Sequence, residues 1–256
     1  MNDELKISII TVAFNSEKTI RDTIKSIVNQ DYKNIEYIVI DGNSTDDTNQ
    51  IVREFADNVD IHISEDDEGI YDAMNKGIKS ASGDIIGILN SDDFYPNAYV
   101  LSNVVKSFNK HESDAVYGDL VYVNAKDTSK IQRYWQSGPY TTKKLKNGWM
   151  LPHPTFFVKT SIYKQFGLYN TSLHMAADYD MIIRLLYKFN ISANYIPMIL
   201  VKMRTGGASN ASIFDRLIAN KQDGLAWTKN HLNKPYFIRI KKPLQKIMQF
   251  FQKPKI

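Results

Sequence analysis

The sequence contains no cysteine, which excludes disulfide bonds, thiolate metal sites and thiol catalysis. It also lacks any apolar run that approaches the roughly 20 residues a helix needs to cross a bilayer. Residues 1–6 are mostly polar and lead directly into a strand pattern, so no secretory signal is expected. These absences predict a protein that stays inside the cell, either soluble or peripheral to a membrane.

Acidic residues are missing from the last part of the chain. Residues 224–256 contain eight Lys or Arg and no Asp or Glu, whereas the preceding 223 residues contain 24 basic and 28 acidic side chains. The net charge of +4 therefore belongs to the C-terminal segment. A nucleic-acid-binding domain needs a basic face on its folded body. The main body is slightly acidic, so no nucleic-acid partner is expected.

Apolar runs alternate with helical patterns through the first half of the chain. With 256 residues, of which 43% are hydrophobic, the chain can build one substantial core. Continuous apolar runs predict buried strands at 7–13, 35–40 and 85–89, with a shorter strand at 60–64 and helices between them, one at 70–81. This alternation predicts an α/β fold with right-handed βαβ units and a mostly parallel central sheet flanked by helices.

Small and acidic residues are predicted to begin or end the helices of this first half. Ser16 is expected to cap the first helix, whose apolar residues begin at Ile20. Ser44 and Asp47 have the spacing of a capping box before the second helix. Gly83 is expected to end the third helix in the left-handed conformation.

The second half of the chain is less regular. Strands are predicted at 115–123, 131–135, 155–158 and 193–203, the last interrupted by a proline, with helices at 176–189 and 209–231 and a polar loop at 140–154. No internal repeat or linker is visible. We therefore predict a single domain over 1–231, with halves at about 1–110 and 111–231, followed by a tail at 232–256.

Carboxylates follow two buried strands of the predicted sheet. Asp41 ends the second strand, and Asp92 and Asp93 follow the fourth. In open α/β sheets, ligands bind at the carboxyl ends of the strands, where these residues converge. Two adjacent carboxylates repel each other, and a hard divalent cation such as Mg²⁺ relieves that repulsion while it takes further ligands from phosphates and water. The sequence therefore predicts a metal and ligand site at this edge.

Four segments resemble motifs of family 2 glycosyltransferases, which have the GT-A fold. They are Ile7–Asn15 (ISIITVAFN), Asp41-Gly42 with Ser44–Asp47 (STDD), Asn90–Asp93 (NSDD), and Ala177–Asp180 (ADYD) followed by Arg184. The resemblance covers about residues 5–215 and is to the type that builds bacterial surface polysaccharides. It implies an inverting transfer of a sugar from a nucleoside-diphosphate sugar to a saccharide or lipid-linked saccharide, with Mn²⁺ or Mg²⁺ as cofactor.

The resemblance assigns metal and donor residues. It implies that Asp93 ligates the cation directly, while Asp92 contacts the ribose or the waters of the metal. Asn90 stands where an acid is often found, which puts the number of ligands in doubt. Asp41 can accept a hydrogen bond from the N–H of uracil, so a UDP-sugar is favoured as donor. The residues expected to line the donor nucleotide are Thr11, Val12, Ala13, Asn15, Asp41, Asn75 and Asp92.

The second half is expected to supply the catalytic base. Inversion needs a group that takes the proton of the acceptor hydroxyl as it attacks the sugar. By the resemblance, Asp178 is this base and Asp180 is a supporting residue, although acids are favoured in the first turn of a helix for dipole reasons alone. His153 is a candidate for binding the pyrophosphate or the acceptor, with a structural role as the alternative. Arg204 begins a loop (RTGG) that could close over the diphosphate, or could be an ordinary surface loop.

The tail has the pattern of a basic amphipathic helix. Pro243 can begin a helix in which Leu244, Ile247, Met248 and Phe251 form an apolar stripe among lysines. Such helices bind anionic membrane surfaces. The alternative is packing on the domain or on a second subunit of a homo-oligomer. Membrane binding would suit a lipid-linked acceptor. It predicts a cytoplasmic protein that is peripheral on the inner face of the plasma membrane.

Two other functions compete with a transferase. A non-catalytic nucleotide- or saccharide-binding subunit would lack the base or the metal acid, and both are present here. A sugar nucleotidyltransferase would need a Gly-rich, basic loop after the first strand to hold a triphosphate. Thr11–Glu17 (TVAFNSE) contains neither glycine nor lysine.

Overall fold

A single mixed sheet organises the molecule. The computed structural model describes residues 4–206, 213–236 and 249. Within these residues the strands are β1 (Ile7–Ala13), β2 (Ile35–Asp41), β3 (Ile61–Ser64), β4 (Ile85–Ile88), β5 (Asp93–Phe94), β6 (Ala115–Val123), β7 (Ile131–Trp135), β8 (Phe157–Lys159) and β9 (Ala193–Arg204). The α-helices are α1 (Ile20–Val28), α2 (Thr48–Arg53), α3 (Ile70–Ser80), α4 (Val100–His111), α5 (Thr142–Lys146), α6 (Thr160–Phe166), α7 (Ala177–Ile182) and α8 (Ile213–Lys229).

The first half of the chain forms the parallel side of this sheet. Strand order is β3-β2-β1-β4-β8-β6-β9-β5, with β7 paired to β6. Strands β3, β2, β1 and β4 run parallel, and all seven residues of β1 are buried. These strands are the apolar runs of the sequence, because a strand covered on both faces needs apolar side chains at every position. The predicted α/β architecture is confirmed.

The second half completes the sheet with mixed pairing. Strand β8 lies antiparallel between β4 and β6, and β9 runs parallel to β6. The β6–β9 register shifts after Tyr117, opposite Pro197, as expected for a residue that cannot donate to the ladder. The far end of β9 pairs antiparallel with β5, which sets Asp93 opposite Met203. The last strand of the core therefore borders the acidic segment.

Two apolar cores cover the faces of the sheet. Along β1, Ile9 belongs to one core and Ile10 to the other, since successive side chains of a strand point to opposite faces. Helices α1 and α4 pack in the core that contains Ile9, and α3 and α7 in the core that contains Ile10. The two cores fix α1 on one side of the carboxyl edge and α3 on the other.

The predicted helix ends need correction. Helix α1 begins at Ile20, and the carbonyl of Ser16 accepts the backbone N–H groups of Thr19 and Ile20, so Ser16 is not its cap. No side-chain cap closes α2 at Asp47. Gly83 does not have a positive φ; a Cβ there would lie 2.7 Å from the Ser8 hydroxyl, so this glycine permits close approach to β1.

Several elements of the second half were not predicted. Helices α4 and α6 were missed, and the predicted loop at 140–154 contains α5. The predicted helix at 176–189 is α7 continued by a π-helix, Ile183–Lys188. Phe189, which follows the π-helix, is exposed and stacks on Phe166.

Little of the tail lies within the described residues. Helix α8 ends at Lys229, and the helix predicted from Pro243 lies outside the described part of the chain. Gln249, which is described, accepts hydrogen bonds from the backbone N–H of Tyr134 and from Nε of Arg133. No helix in the described part of the chain is long and apolar enough to span a bilayer. The boundaries at 110 and 231 stay predictions.

Candidate functional site

The acidic segment at 90–93 lies at the carboxyl edge of the parallel strands. Asp93 is fully buried; its Oδ2 accepts a hydrogen bond from the Asn90 amide at 3.3 Å. Among the described residues, Oδ1 of Asp93 and Oδ1 of Asn90 have no hydrogen-bond partner although both are buried. Burial and the neighbouring charge of Asp92 raise the pKa of Asp93 well above its usual value. Such a carboxylate is stabilised by a proton or a cation.

The same segment fits a cation that takes few protein ligands. Asp92 is partly exposed, and burial raises its pKa. The described residues contain no group of three His, Asp or Glu that could hold a metal by themselves. Mg²⁺ and similar ions commonly use one or two carboxylates and complete their shell with phosphates and water. The donor set fits such an ion when a diphosphate is also bound.

Helix α1 fixes the backbone of the acidic segment. The Thr23 hydroxyl, which is buried, lies 2.9 Å from the carbonyl oxygen of Ser91 and 2.7 Å from that of Asp93. The Ser16 and Ser91 hydroxyls are 2.7 Å apart. The segment is therefore held by contacts that leave the Asp92 carboxylate unused.

Arg204 is placed differently from its prediction. It ends β9 and is buried; its guanidinium lies 2.5 Å from Asp22, donates to the carbonyl of Asp92 at 2.8 Å, and stacks over Phe94. Arg204 is thus part of the wall behind the acidic segment and not of a mobile loop over the diphosphate. Residue 207, the end of the predicted loop, lies outside the described residues. Asp22 was not identified from the sequence.

Asp41 is buried and already has several hydrogen-bond donors. Its Oδ2 accepts from the backbone N–H of Ser44, from Asn49 and from Ser64, and its Oδ1 accepts from the Ser44 hydroxyl. Burial alone would raise the pKa of Asp41, but these hydrogen bonds outweigh it and lower the pKa. Asp41 therefore fastens the loop after β2, and its hydrogen bond to uracil stays a prediction.

The predicted donor residues of β1 are mostly inside the sheet. Thr11, Val12 and Ala13 are buried, and the Thr11 hydroxyl accepts from Tyr37. Asn15 is exposed at the strand end with φ +48°, and its side-chain oxygen accepts from the backbone of Thr45 at 3.0 Å. Of these four residues, Asn15 alone has its side chain at the surface of the edge.

Phe14 was missed by the sequence analysis. It is 64% exposed at the end of β1 and lies beside Gly42, where a Cβ would be 3.5 Å from the ring. In open α/β sheets, ligands bind at the carboxyl ends of the strands, so this ring is placed where it can contact a ligand. The signal was an aromatic residue directly after a buried strand, at the edge where ligands bind.

Asn75 does not face the cleft. Its amide donates to the carbonyl of Tyr169 and its oxygen accepts from the N–H of Tyr169, both at 2.9 Å, and the side chain is buried. This pairing replaces the predicted nucleotide contact. Asn75 instead fixes the segment that carries Tyr169 against α3.

Asp178 begins α7 and is partly exposed. Its Oδ1 accepts from the Tyr71 hydroxyl at 3.2 Å and from the backbone N–H of Tyr179 at 2.7 Å. Beside it, His153 is buried, with Nε2 2.5 Å from the Tyr169 hydroxyl. Burial lowers the pKa of His153, against the opposing effect of Asp178. His153 therefore supports the aromatic side chains next to Asp178, which agrees with the structural alternative for this residue.

Asp180 is buried and connects α7 to α8. It accepts a hydrogen bond from Asn230 at 2.7 Å and lies 3.5 Å from Arg184. Next to it, the Trp227 indole N–H donates to the Tyr179 hydroxyl at 3.2 Å. Asp178 is thus followed by two residues, Tyr179 and Asp180, that are anchored by the end of α8 and the residue after it.

Tyr122 of β6 interacts electrostatically with both the acidic segment and Asp178. Tyr122 of β6 is buried, and burial is the main cause of its raised pKa. Arg133 opposes this effect, while the charges of Asp93 and Asp178 each add to it. Tyr122 is therefore within electrostatic reach of both carboxylates, which come from opposite halves of the chain.

Known proteins share this fold. Solved structures with the same fold include Staphylococcus aureus TarS residues 1–349 in complex with UDP, with a TM-score of 0.68 and 21% identity over 90% of this chain and 68% of that one. Another is the mannosyltransferase PcManGT of Pyrobaculum calidifontis in complex with GDP-Man and Mn²⁺, with a TM-score of 0.67 and 18% identity over 97% and 70% of the two chains. The predicted GT-A fold is confirmed.

Sequence relatives agree with the fold. A PGL/p-HBAD biosynthesis glycosyltransferase of Mycobacterium bovis is 28% identical over 82% of this chain and 80% of its own length. A glycosyltransferase of Mycobacterium tuberculosis is 31% identical over 70% and 68%. The sequence profile of glycosyl transferase family 2 matches residues 8–168, which include the parallel strands and the acidic segment. The chain therefore belongs to glycosyl transferase family 2.

Proposed function

We propose that this glycosyltransferase moves a sugar, with inversion, from a nucleoside-diphosphate sugar to a saccharide or lipid-linked saccharide. The observation that carries the proposal is the combination of an acidic segment, in which buried Asp93 has an oxygen without a partner among the described residues, with a partly exposed carboxylate, Asp178, from the second half of the chain. The acidic segment suits a diphosphate and its cation, and Asp178 suits a base. A UDP-sugar is the favoured donor.

The cation is proposed to bind at Asp93, with Asp92 at the ribose or at the waters of the metal. The buried Oδ1 of Asp93, which has no hydrogen-bond partner among the described residues, supports this order. A bound Mn²⁺ or Mg²⁺ would neutralise the charge that develops on the departing diphosphate. Asn90, whose amide donates to Oδ2 of Asp93, would hold this carboxylate in place. Phe14 is proposed to stack on the nucleobase, since it is the exposed aromatic ring at the end of β1.

Asp178 is proposed to be the general base. Among the described residues, both hydrogen bonds to its carboxylate go to Oδ1, which leaves Oδ2 for the acceptor hydroxyl. As Oδ2 takes the proton, the acceptor oxygen attacks the anomeric carbon from the face opposite the diphosphate. The bond to the diphosphate breaks, and the configuration inverts. General-base catalysis of this kind contributes roughly 10²- to 10⁴-fold.

Calorimetric titration of UDP, GDP and CDP, with and without Mn²⁺ or Mg²⁺, tests the donor side. We expect metal-dependent binding of one nucleotide, UDP before the others, and loss of the metal dependence in Asp93→Asn. Glu54→Gln, which removes a carboxylate from an exposed ion pair with Arg21, serves as the control. If no nucleotide binds under either condition, the chain is better described as a non-catalytic member of the fold.

The C-terminal tail has two proposed roles. Its basic, apolar pattern supports contact with an anionic membrane on the cytoplasmic side. The hydrogen bonds of Gln249 to β7 support packing on the domain instead. Deletion of residues 237–256 separates them. Loss of binding to phosphatidylglycerol vesicles supports the first role, and a lower unfolding temperature with unchanged vesicle binding supports the second.

A further inference from the structure

Helix α3 presents one of its residues to the proposed base. Tyr71 lies in the first turn of α3, and its hydroxyl donates to Oδ1 of Asp178 at 3.2 Å across 107 residues of sequence. Burial and the neighbouring Asp178 raise the pKa of Tyr71 well above its usual value. The hydroxyl therefore keeps its proton and remains a donor at neutral pH.

The Tyr71 ring is held by a buried aromatic neighbour. It stacks on Tyr169 with ring centroids 5.8 Å apart and an interplanar angle of 22°. Tyr169 is itself fixed at both ends: its backbone pairs with the Asn75 side chain, and its hydroxyl lies 2.5 Å from Nε2 of His153. Tyr71 and Asn75 are four residues apart on α3 and share one face of the helix. Helix α3 thus supplies both the Tyr71 hydroxyl that donates to Asp178 and the Asn75 side chain that holds Tyr169, the ring on which Tyr71 stacks.

Asp178 needs such a restraint. It lies at the start of a six-residue helix, and the other hydrogen bond to its carboxylate among the described residues comes from the adjacent backbone N–H of Tyr179. A local bond of that kind fixes one oxygen but leaves the plane of the carboxylate free to turn. A second donor on the same oxygen, from a different element, fixes the plane and directs Oδ2 into the cleft.

We propose that Tyr71 is a positioning residue of the transferase, which holds the Asp178 carboxylate in the orientation that its Oδ2 needs to accept the proton of the acceptor hydroxyl. This inference rests on the proposed role of Asp178 as base. Tyr71 acts through Asp178 and has no contact with the reacting atoms. The sequence analysis did not single out Tyr71, because its partner is far away in sequence.

The test uses Tyr71→Phe, which removes the hydroxyl and keeps the ring that stacks on Tyr169. Turnover is measured as nucleotide release from UDP-N-acetylglucosamine and from GDP-mannose, with water as acceptor. We expect kcat to fall roughly 10- to 100-fold, as for loss of a hydrogen bond to a charged, catalytic group, while KM and nucleotide affinity stay unchanged. Tyr140→Phe is the matched control, since its hydroxyl donates to the carbonyl of Leu186 near the same helix without touching Asp178.

A double variant separates positioning from a general loss of stability. In the Asp178→Asn background, Tyr71→Phe should lower the residual turnover no further, because its effect passes through Asp178. An additive loss would overturn the inference, as would a kcat equal to that of the Tyr140→Phe control. If Asp178→Asn keeps full turnover, the proposed base is wrong. If only Tyr71→Phe keeps full turnover, Asp178 remains the base and the positioning role of Tyr71 is wrong.

A second measurement does not depend on finding the donor. Crystal structures of the full chain and of Tyr71→Phe are compared at Asp178. We expect the carboxylate to leave its orientation or to become spread over several in the variant, with Tyr169 in place. An unchanged, well-ordered carboxylate would overturn the inference even if neither sugar nucleotide is turned over.

Discussion

Two buried carboxylates stand at opposite edges of the same sheet. At the amino edge, Glu36 of β2 receives hydrogen bonds from the hydroxyls of Ser8 and Ser82, from the Ser82 backbone and from Lys6. These donors outweigh burial and lower the pKa of Glu36 to about 2. At the carboxyl edge, Asp93 has one weak donor and an oxygen without a described partner, and its pKa is raised.

The difference shows how one sheet divides stability from function. A carboxylate whose hydrogen bonds are all made within the protein stabilises the fold and has nothing left for a ligand. A carboxylate left short of donors destabilises the fold until a proton or cation reaches it. The amino edge holds the sheet together, and the carboxyl edge keeps unused binding capacity. The following variants test this division.

Asp178→Asn should give the largest effect. The amide keeps the shape of the side chain but cannot take a proton, so turnover should fall roughly 10²- to 10⁴-fold. Nucleotide binding and the unfolding temperature should stay close to those of the wild type, since Asp178 lies away from the acidic segment. Initial rates and UDP titration measure both. Loss of UDP binding in this variant would contradict the proposal that the acidic segment binds the donor and that Asp178 acts only as the base.

Glu36→Gln should destabilise the protein by about 3 kcal/mol at neutral pH, the free energy that corresponds to the lowered pKa. Because the folded-state pKa lies below the unfolded one, this stabilisation is present above the unfolded pKa and disappears as the pH falls towards about 2. Urea unfolding between pH 7 and pH 2 measures it. Wild type and variant should converge in acid.

The matched control for Glu36→Gln is Glu54→Gln, which breaks the exposed ion pair with Arg21. Such surface pairs contribute little to stability. Equal destabilisation by the two variants would contradict the role given to the buried donors of Glu36. A change in UDP affinity in Glu36→Gln would contradict the division between the two edges.

Asp93→Asn should act in the opposite direction on stability. Without divalent metal at neutral pH, the neutral amide relieves a buried, poorly paired charge, so stability should rise by about 1–2 kcal/mol, or a few degrees in Tm. The stabilisation that Mn²⁺ and UDP give together should become smaller. Thermal unfolding with EDTA and with Mn²⁺ plus UDP measures both. If Asp93→Asn has a lower Tm than the wild type in EDTA, the Asp93 carboxylate is already stabilised within the protein without a cation.

Phe14→Leu should give the smallest effect. Loss of stacking on the nucleobase should weaken UDP binding by roughly five- to tenfold, with no loss of stability, because the ring is already exposed. Tyr99→Leu is the matched control, since Tyr99 is 62% exposed just before α4. Equal affinities in the two variants would remove Phe14 from the nucleotide site.

The sequence was sufficient for the parts of the molecule that depend on local patterns. The parallel strands follow from apolar runs, and their order along the chain places Asp92 and Asp93 at the carboxyl edge. Helix α4 also had a readable pattern, since Val100, Leu101, Val104, Val105 and Phe108 form one apolar face, and it was overlooked. That error concerned the interpretation and not the information in the sequence.

The roles of several residues near the site could not be predicted, for a different reason. Arg204 is paired with Asp22 across 182 residues, Asn75 with Tyr169 across 94, and Tyr71 with Asp178 across 107. A polar side chain near a site can bind the ligand or hold the wall behind it. Only the folded positions of its partners decide between the two, and no local spacing reports them.

The pairing of β5 with β9 sets an order of events during synthesis. Strand β5 has two residues, and its neighbours across the ladder are Lys202 and Met203, more than 100 residues further along the chain. The parallel strands β1–β4 can associate before the second half has been synthesised, since chains grow from the N-terminus. The acidic segment acquires its strand partner and the Arg204 wall only when nearly the whole domain has emerged. A nascent chain can therefore form its parallel strands long before it can form a complete enzyme.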